Sequence, residues 1–324
     1  MPVKVLQLTS ITLGMHLRIK GYIFLSYLFI CISLPACISL PAQKEITLTE
    51  PKTGLRIIVI NKDYPLLKIL LPGQSVSERG IEVEFPEHVT GLNGKTNITE
   101  HLYLVSLGTR NKRTLPLWKV EGNTVKYETA LNNEIKMIAT ASLENDGVRY
   151  TYKFINNSTI NYTSLQAVTC VKLYSAFSDT LLQRTYVHHT NGFDLLASET
   201  PGRLTMPLRK WLPCRYLVSY NWPVPEKLVQ KDEDSITRYN KSRKVDKPFI
   251  ATVSHNKKWI AATYTFETGN LWTNPERSCQ HADPSISLKA GDTKSLGLKT
   301  FILQGELDQL LSHIDREVSR KHSE

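Results

Sequence analysis

The sequence predicts a mostly β protein, built as a large antiparallel β-sandwich with a short C-terminal helix. Three observations support this fold class. Short runs of alternating apolar and polar residues recur along most of the chain, separated by turn-forming residues. The turn sequence Asn145-Asp146-Gly147 joins two such runs, which is a strong hairpin signal. Only one segment, near the C-terminus, has clear helical periodicity. Many strands with few helices favour a sandwich.

The first 42 residues are predicted to be a signal peptide. They contain Lys4, Arg18 and Lys20 but no acidic residue, and a long apolar run follows that ends in small residues and prolines. Cleavage after Ala42 would release residues 43–324, which we interpret as one β-sandwich domain. This leader predicts an exported bacterial protein, located in the periplasm, the medium or the outer envelope.

Two alternatives remain open at this end of the chain. The segment from Leu34 to Cys37 is similar to a bacterial lipobox, in which Cys37 would carry the lipid that anchors the protein to a membrane. An uncleaved anchor is the other alternative, because the apolar run approaches the length that spans a bilayer. Translation from Met15 instead of Met1 would shorten the leader and change neither interpretation.

Charge and cysteine content narrow the range of partners. The formal net charge is +10, but it is spread along the chain, and the most basic stretch, 227–247, also carries acidic residues. We therefore expect no nucleic-acid partner, while an anionic polysaccharide stays open. Outside the leader there are three cysteines, Cys170, Cys214 and Cys279. Their odd number predicts one disulfide and one buried free thiol, and the spacing does not select the pair.

The elements can be placed along the chain. The alternating runs predict strands over 45–50, 55–60, 81–85, 134–145, 147–156, 164–174, 185–189, 248–254, 258–267 and 294–304. The segment 204–247 has no such pattern and predicts a long loop. A helix is predicted over 306–320, where one apolar stripe runs along the segment and acidic residues precede basic ones.

The stretch from Asn270 to Pro284 holds the densest mix of functional side chains and lies between two predicted strands. Its candidate residues are Trp272, Asn274, Glu276, Arg277, Cys279, His281 and Asp283. In an extended segment Cys279, His281 and Asp283 project to the same side.

Four interpretations of this stretch stay open. They are a sugar-binding edge, a His–Asp acid–base dyad, a partial metal site and a structural loop. We favour sugar binding through Trp272, Asn274, Arg277 and Asp283, and expect no metal and no other cofactor.

The residues from Tyr264 onward resemble the C-terminal part of the galactose mutarotase-like fold, the β-supersandwich shared by aldose 1-epimerases and many carbohydrate-active domains. The matching positions are Glu267-Thr268, Asn274-Pro275 and the turn at 288–292. The chain is also similar to exported bacterial proteins that carry a Cys-x-His-x-Asp-Pro segment.

This resemblance implies roles for particular residues. Glu267 would be the general base, and a histidine, His281 or His189, would be the general acid. Here Gly269 replaces the usual glutamine, and the histidine motif of the epimerases is absent, its nearest counterpart being His188-His189.

The sequence therefore predicts an exported carbohydrate-binding protein. The first alternative is a carbohydrate-active enzyme, epimerase-like or polysaccharide-cleaving. The second is a structural envelope lipoprotein.

Overall fold

Strands that bury every second side chain make up most of the protein. The computed structural model describes residues 45–61, 64–102, 104, 116–132, 134–200, 216–221, 223–231, 237–266 and 268–321. The chain divides into two units, residues 1–42 and 43–324, and every described residue belongs to the second. The predicted leader with Cys37, as well as Cys214 and Glu267, lies outside the described residues. None of the helices in the described ranges has the length and apolarity needed to cross a bilayer.

The strands are numbered β1 to β21 in chain order. They are β1 (Thr47–Thr49), β2 (Arg56–Asn61), β3 (Pro65–Leu70), β4 (Ile81–Asn93), β5 (Thr99–Leu102), β6 (Lys119–Glu121), β7 (Thr124–Leu131), β8 (Ile135–Glu144), β9 (Gly147–Asn156), β10 (Tyr162–Leu173), β11 (Thr185–His189), β12 (Gly192–Leu195), β13 (Tyr216–Asn221), β14 (Val229–Lys231), β15 (Thr237–Asn240), β16 (Lys247–Val253), β17 (Trp259–Thr265), β18 (Asn270–Thr273), β19 (Cys279–Gln280), β20 (Ser285–Leu288) and β21 (Thr293–Gln304). The α-helix α1 spans Leu307–Lys321.

These strands form three sheets. The first has eight strands, in the order β1-β2-β3-β4-β10-β19, with β5 paired to β4 and β20 to β10. The second has nine strands, in the order β12-β11-β16-β17-β21-β9-β8-β7-β6. The third has four, in the order β14-β15-β13-β18, and contains a parallel pair, β13 and β15. The two large sheets are antiparallel, so the predicted mostly β, antiparallel fold with a short C-terminal helix is confirmed.

The sandwich core lies between the two large sheets. Alternation along β9 buries Tyr150, Tyr152 and Phe154 completely, as predicted from the pattern. Phe85 from the eight-stranded sheet meets Tyr152 at a ring-centroid distance of 5.0 Å. The predicted hairpin joins β8 to β9, and at its turn Gly147 adopts a φ of +146°. A Cβ there would lie 2.0 Å from the carbonyl oxygen of Thr300, so no other residue fits without backbone movement.

The C-terminal helix packs against the other face of the nine-stranded sheet. Leu310 and Ile314 of α1 are buried against Tyr264, Phe301 and Leu303. The observed helix is shifted by one residue from the predicted range 306–320. The apolar stripe of α1 therefore covers this face of the sheet.

The segment 204–247 differs from the predicted long loop. Its described part contains β13, β14 and β15, which form most of the small third sheet. These strands are only three to six residues long. Strands this short provide too few positions for a period of two to be recognised.

Candidate functional site

Strand β10 holds the centre of the candidate site, because it has neighbours on both edges. On one edge β4 runs antiparallel to it and places Glu84 opposite Cys170. On the other edge the chain from Cys279 to Leu288 runs alongside it, through β19 and then β20, and Cys279 is paired with Lys172. Val171 belongs to the sandwich core, so alternation places Cys170 on the opposite face of the sheet.

Two cysteines and a histidine meet on that face. Cys170 and Cys279 are each 2% exposed and His281 is 1% exposed. The two sulfur atoms and one ring nitrogen of His281 all lie within 4.8 Å of one another. Both cysteines are free thiols, so the predicted disulfide does not join this pair, while Cys214 lies outside the described residues.

The histidine is held between an aromatic ring and a carboxylate. Its ring stacks on Trp272 with a centroid distance of 3.5 Å and an interplanar angle of 9°. Asp283 accepts hydrogen bonds from Trp272 Nε1 at 2.9 Å and from the backbone N–H of Thr169 at 3.3 Å. His281 Nδ1 lies 3.7 Å from Asp283 Oδ2 and has no hydrogen-bond partner within the described part of the chain. We call Cys170, Cys279, His281, Asp283 and Trp272 the Cys–His cluster.

Buried hydrogen bonds fix the segment that carries this cluster. Gln280 donates to the hydroxyl of Thr252 and to the carbonyl of Ala261, and accepts from Thr263, at 2.9, 3.1 and 2.9 Å. These partners all lie on β16 and β17 of the nine-stranded sheet. The segment is therefore rigidly attached to the scaffold, as a site built for chemistry or for a ligand requires.

The cluster shifts the protonation of its own members. Burial opposes charge on His281, yet the neighbouring Cys279 and Asp283 raise the pKa of its ring to about 10. Burial also opposes charge on Cys279, but the thiol of Cys170 and the His281 ring hold the pKa of Cys279 well below its usual value. Contact with Cys279 and burial raise the pKa of Cys170 well above the usual value. The contact between Cys279 and His281 therefore favours the charged form of each group.

Three further ionisable residues on β4 border the cluster. The carboxylates of Glu84 and Glu87 and the sulfur of Cys170 lie within 4.8 Å of one another. Burial raises the pKa of Glu87, against the opposing charge of His281. Burial and the nearby ring of His101, 5.4 Å away, lower the pKa of His88. No local pattern in the sequence marks these residues, because only the pairing of β4 with β10 brings them to Cys170.

The other predicted site residues are spread over several places. Asn274, His281 and Asp283 are buried, while Trp272 and Arg277 are half-buried. His189 is buried elsewhere, where its Nδ1 lies 3.1 Å from the carbonyl oxygen of Lys244 and its Nε2 lies 3.3 Å from the hydroxyl of Tyr220.

The structure brings Trp272, His281 and Asp283 together. It gives His189 different contacts and does not describe Glu267. A catalytic or sugar-binding role for any of these residues stays a prediction.

A cavity of about 330 Å³ lies at the outer face of the nine-stranded sheet, beside the C-terminal end of α1. The rings of Tyr264 and Phe266 contribute to its wall, and so do Pro284 and Ser285, directly after the predicted segment. Four basic residues also line it, namely Arg149, Lys299, Arg320 and Lys321. The ammonium group of Lys321 lies 4.7 Å from the centre of the Phe266 ring.

An ion-pair network fixes one side of this cavity; its members are Lys299, Arg149, Glu144, Asp146 and Glu317. Lys299 Nζ lies 2.7, 2.6 and 2.9 Å from oxygens of the three acidic residues in that order. Arg149 contacts Glu144 and Glu317, each at 2.7 Å. Burial alone would raise the pKa values of Glu144 and Asp146, but hydrogen bonds from the cations lower both below their usual values. Because Glu317 belongs to α1, the network ties the helix to the sheet.

Comparison with known proteins identifies similar folds. No protein-family model matches the sequence, and no curated protein matches it. A galactose mutarotase-like protein from Lactobacillus casei has a TM-score of 0.44 and 10% identity, over 80% of this chain and 100% of that one. An aldose epimerase homologue from C. elegans has a TM-score of 0.43 and 11% identity, over 81% of this chain and 99% of that one.

A polysaccharide lyase has a TM-score of 0.33 and 11% identity, over 81% of this chain and 32% of that one. Galactose mutarotase-like proteins are thus among the solved structures that this chain is similar to. At this level of likeness, neither activity nor substrate carries over to the chain.

Proposed function

We propose that the protein binds a carbohydrate, and that the binding site is the cavity beside α1. The observation that supports this proposal is the combination of the cavity's volume with the residues that line it. A volume of about 330 Å³ is within the range of small-ligand sites, which run from roughly 300 to 1,000 Å³. Pro284 and Ser285, which line the cavity, directly follow the 270–283 segment, where the sequence predicts sugar binding.

The lining suits a sugar ring. The ring of Phe266, which is half-buried, offers apolar surface for the C–H groups of a pyranose. The hydroxyl groups of Ser285 and Ser295 offer donors and acceptors for the hydroxyl groups of a sugar. Arg149 and Lys299 already contact carboxylates of the protein, so they hold the wall in place.

An enzymatic function is the second candidate, and one observation favours it. Phe266 lines the cavity and immediately precedes Glu267, the residue that the epimerase resemblance assigns as general base. In that case the protein would catalyse proton transfer on the bound sugar, as an epimerase or a polysaccharide-cleaving enzyme does.

We also propose that the protein is exported. The signal peptide would deliver the protein to the cell envelope or beyond, and Cys37 would be the lipid attachment site of the anchored form. The mass of the N-terminal peptide of protein recovered from its native host distinguishes cleavage after Ala42 from lipidation.

Thermal unfolding with a panel of neutral and anionic oligosaccharides tests the binding. A ligand at 100 times its dissociation constant stabilises a protein by about 2.7 kcal/mol. We expect Phe266→Ala to abolish this stabilisation and Arg277→Ala to preserve it, since Arg277 lies away from the cavity lining. The reverse result would move the site to the 270–283 segment. Absence of any stabilisation across the panel would contradict the proposal.

Turnover tests the enzymatic candidate. The sugar identified by thermal unfolding is incubated with the protein and with Glu267→Gln, and epimers or cleaved products are measured. Turnover that is lost in Glu267→Gln with binding retained supports the enzyme. Binding without turnover supports a binding protein.

A further inference from the structure

We propose that Cys170, Cys279, His281 and Glu87 form a binding site for one zinc ion. This proposal is independent of sugar binding. It also differs from the expectation drawn from the sequence, in which no metal is bound. The Cys–His cluster brings together donors that are far apart in the chain and that zinc prefers.

The donor types and their spacing fit zinc. Structural zinc sites use four ligands, mostly thiolate sulfur and imidazole nitrogen, in a tetrahedral arrangement. Bond lengths of about 2.3 Å to sulfur and 2.0 Å to nitrogen place neighbouring ligand atoms roughly 3.5 Å apart. The two sulfurs and the His281 nitrogen lie within 4.8 Å of one another, so small side-chain rotations suffice to close the site.

Glu87 supplies the fourth ligand. Its carboxylate lies within 4.8 Å of the Cys170 sulfur. Glu84 is equally near but already forms an ion pair with Lys172. With two thiolates and one carboxylate around a divalent ion, the site would carry one net negative charge.

The residues around His281 hold its ring in an orientation that suits metal binding. Zinc-bound histidines almost always place their second ring nitrogen toward a carboxylate or a carbonyl group. His281 Nδ1 lies 3.7 Å from Asp283 Oδ2 and has no hydrogen-bond partner among the described residues, although the ring is 1% exposed. Stacking on Trp272 fixes the plane of the ring. With Nδ1 turned toward Asp283, the other ring nitrogen is the one that would bind the metal.

A disulfide between the two cysteines fits the backbone geometry less well than a bridging metal ion does. Cys279 is paired with Lys172, so it lies diagonally from Cys170 across the two strands. Diagonal neighbours have Cα atoms about 7 to 8 Å apart, whereas disulfides need about 4.4 to 6.8 Å. A metal ion bridges the longer gap without moving either strand.

When zinc binds at this site, it replaces protons on the ligand side chains. Two zinc–sulfur bonds, one zinc–nitrogen bond and one zinc–oxygen bond form, and the thiol of Cys170 loses its proton. The proton shared between Cys279 and His281 also leaves, so the reaction is balanced without any oxidant or reductant. Because the protein supplies all four ligands, the ion is expected to stabilise the fold and not to activate water.

Metal content and cobalt substitution test the site. The full chain is loaded with zinc, freed of excess metal by dialysis, and analysed by inductively coupled plasma mass spectrometry. We expect one zinc per chain, and in the cobalt form an absorption band from thiolate-to-metal charge transfer. His281→Asn should lose both signals, whereas His189→Asn, a matched change at a buried histidine outside the cluster, should keep both.

Affinity and folding controls complete the test. Loss of the direct ligand in Cys170→Ser should lower zinc affinity by more than the roughly 10- to 100-fold typical of residues that only orient a ligand. Circular dichroism checks that each variant is folded, and Glu87→Gln replaces any that is not. Zinc retained by the folded Cys170→Ser and His281→Asn proteins would overturn the proposal. So would a protein that binds no zinc, or a Cys170–Cys279 disulfide found by peptide mass mapping.

Discussion

Two buried groups of ionisable side chains in this protein are built in opposite ways. In the ion-pair network every carboxylate lies within 3 Å of a cation, and the charges are contributed by strands β8, β9 and β21, the β8–β9 turn and the helix. In the Cys–His cluster the buried Nδ1 of His281 makes no hydrogen bond with a described residue and lies 3.7 Å from the carboxylate of Asp283. The comparison teaches that burial alone does not mark a functional site. A closed set of opposite charges stabilises a fold, while an incomplete set of metal-type donors leaves a place for a ligand.

Removing the central cation should produce the largest effect. Lys299 is 3% exposed and contacts three carboxylates, so Lys299→Met leaves these buried charges without compensation. We expect a loss of about 3 to 5 kcal/mol in the free energy of unfolding, measured by urea denaturation. The control is Lys294→Met, because Lys294 is 41% exposed and pairs with Asp292 at 3.6 Å. That change should cost less than about 1 kcal/mol, and equal losses would contradict the distinction.

Acid should weaken the network before it weakens the rest of the fold. The pKa values of Glu144 and Asp146 are lowered from 4.5 and 3.8, so their contribution to stability is complete above these values. It is lost progressively as the pH falls through the lowered pKa values of the folded state. Unfolding free energy measured against pH should therefore fall steeply below about pH 4, and Lys299→Met should flatten this fall. Parallel curves for the two proteins would show that other groups control acid unfolding.

Asp283→Asn should have a moderate effect, because it keeps the shape of the side chain but removes its charge. The carboxylate accepts from Trp272 Nε1 and from Thr169 N–H, and an amide turned to serve one of them places its own N–H₂ near the other. We expect a loss of about 1 to 3 kcal/mol in urea denaturation. Zinc affinity should also fall by roughly 10- to 100-fold, since Asp283 only orients His281.

The matched control for this change is Asp315→Asn. Asp315 is 62% exposed and pairs with Lys247 at 2.9 Å, so its replacement should cost less than about 1 kcal/mol. A loss at Asp315 equal to that at Asp283 would mean that the buried position has no special role.

His313→Gln should have the smallest effect, because His313 lies at the edge of the network. Its Nδ1 is 2.9 Å from Asp146 Oδ2, but its side chain is 26% exposed and water can replace the contact. We expect a loss below about 1 kcal/mol and a slightly shallower acid transition, because His313 helps to lower the pKa of Asp146. A loss as large as that of Lys299→Met would instead show that all members of the network act as a single unit.

Local sequence patterns predicted the strands and the helix well, but they did not predict which strands pair with each other. The β8–β9 hairpin follows from the Asn145-Asp146-Gly147 turn and from alternation on both sides of it, and α1 follows from its apolar stripe. These features depend on residues close together in the chain. The order of strands in each sheet depends on distant pairing, which alternation does not encode.

Only part of the candidate site could be predicted from the sequence, because the rest depends on the pairing of distant strands. The sequence placed Cys279, His281 and Asp283 on one side of an extended segment, and the structure brings His281 and Asp283 together. It could not show that Cys170 and Glu87 join them, because that depends on the register of β10 with β4 and β19. The cavity was likewise unpredictable, since its wall combines residues from five separate segments of the chain.

The order of the nine-stranded sheet has a consequence for how the chain reaches its native state. The last strand in the sequence, β21, lies between β9 and β17, so it joins the two halves of the sheet. Until residues 293–304 are available, β9 and β17 each present an unpaired edge that can bind the wrong partner. A chain shortened before β21 would therefore be aggregation-prone, and folding of the complete chain must wait for its final segment.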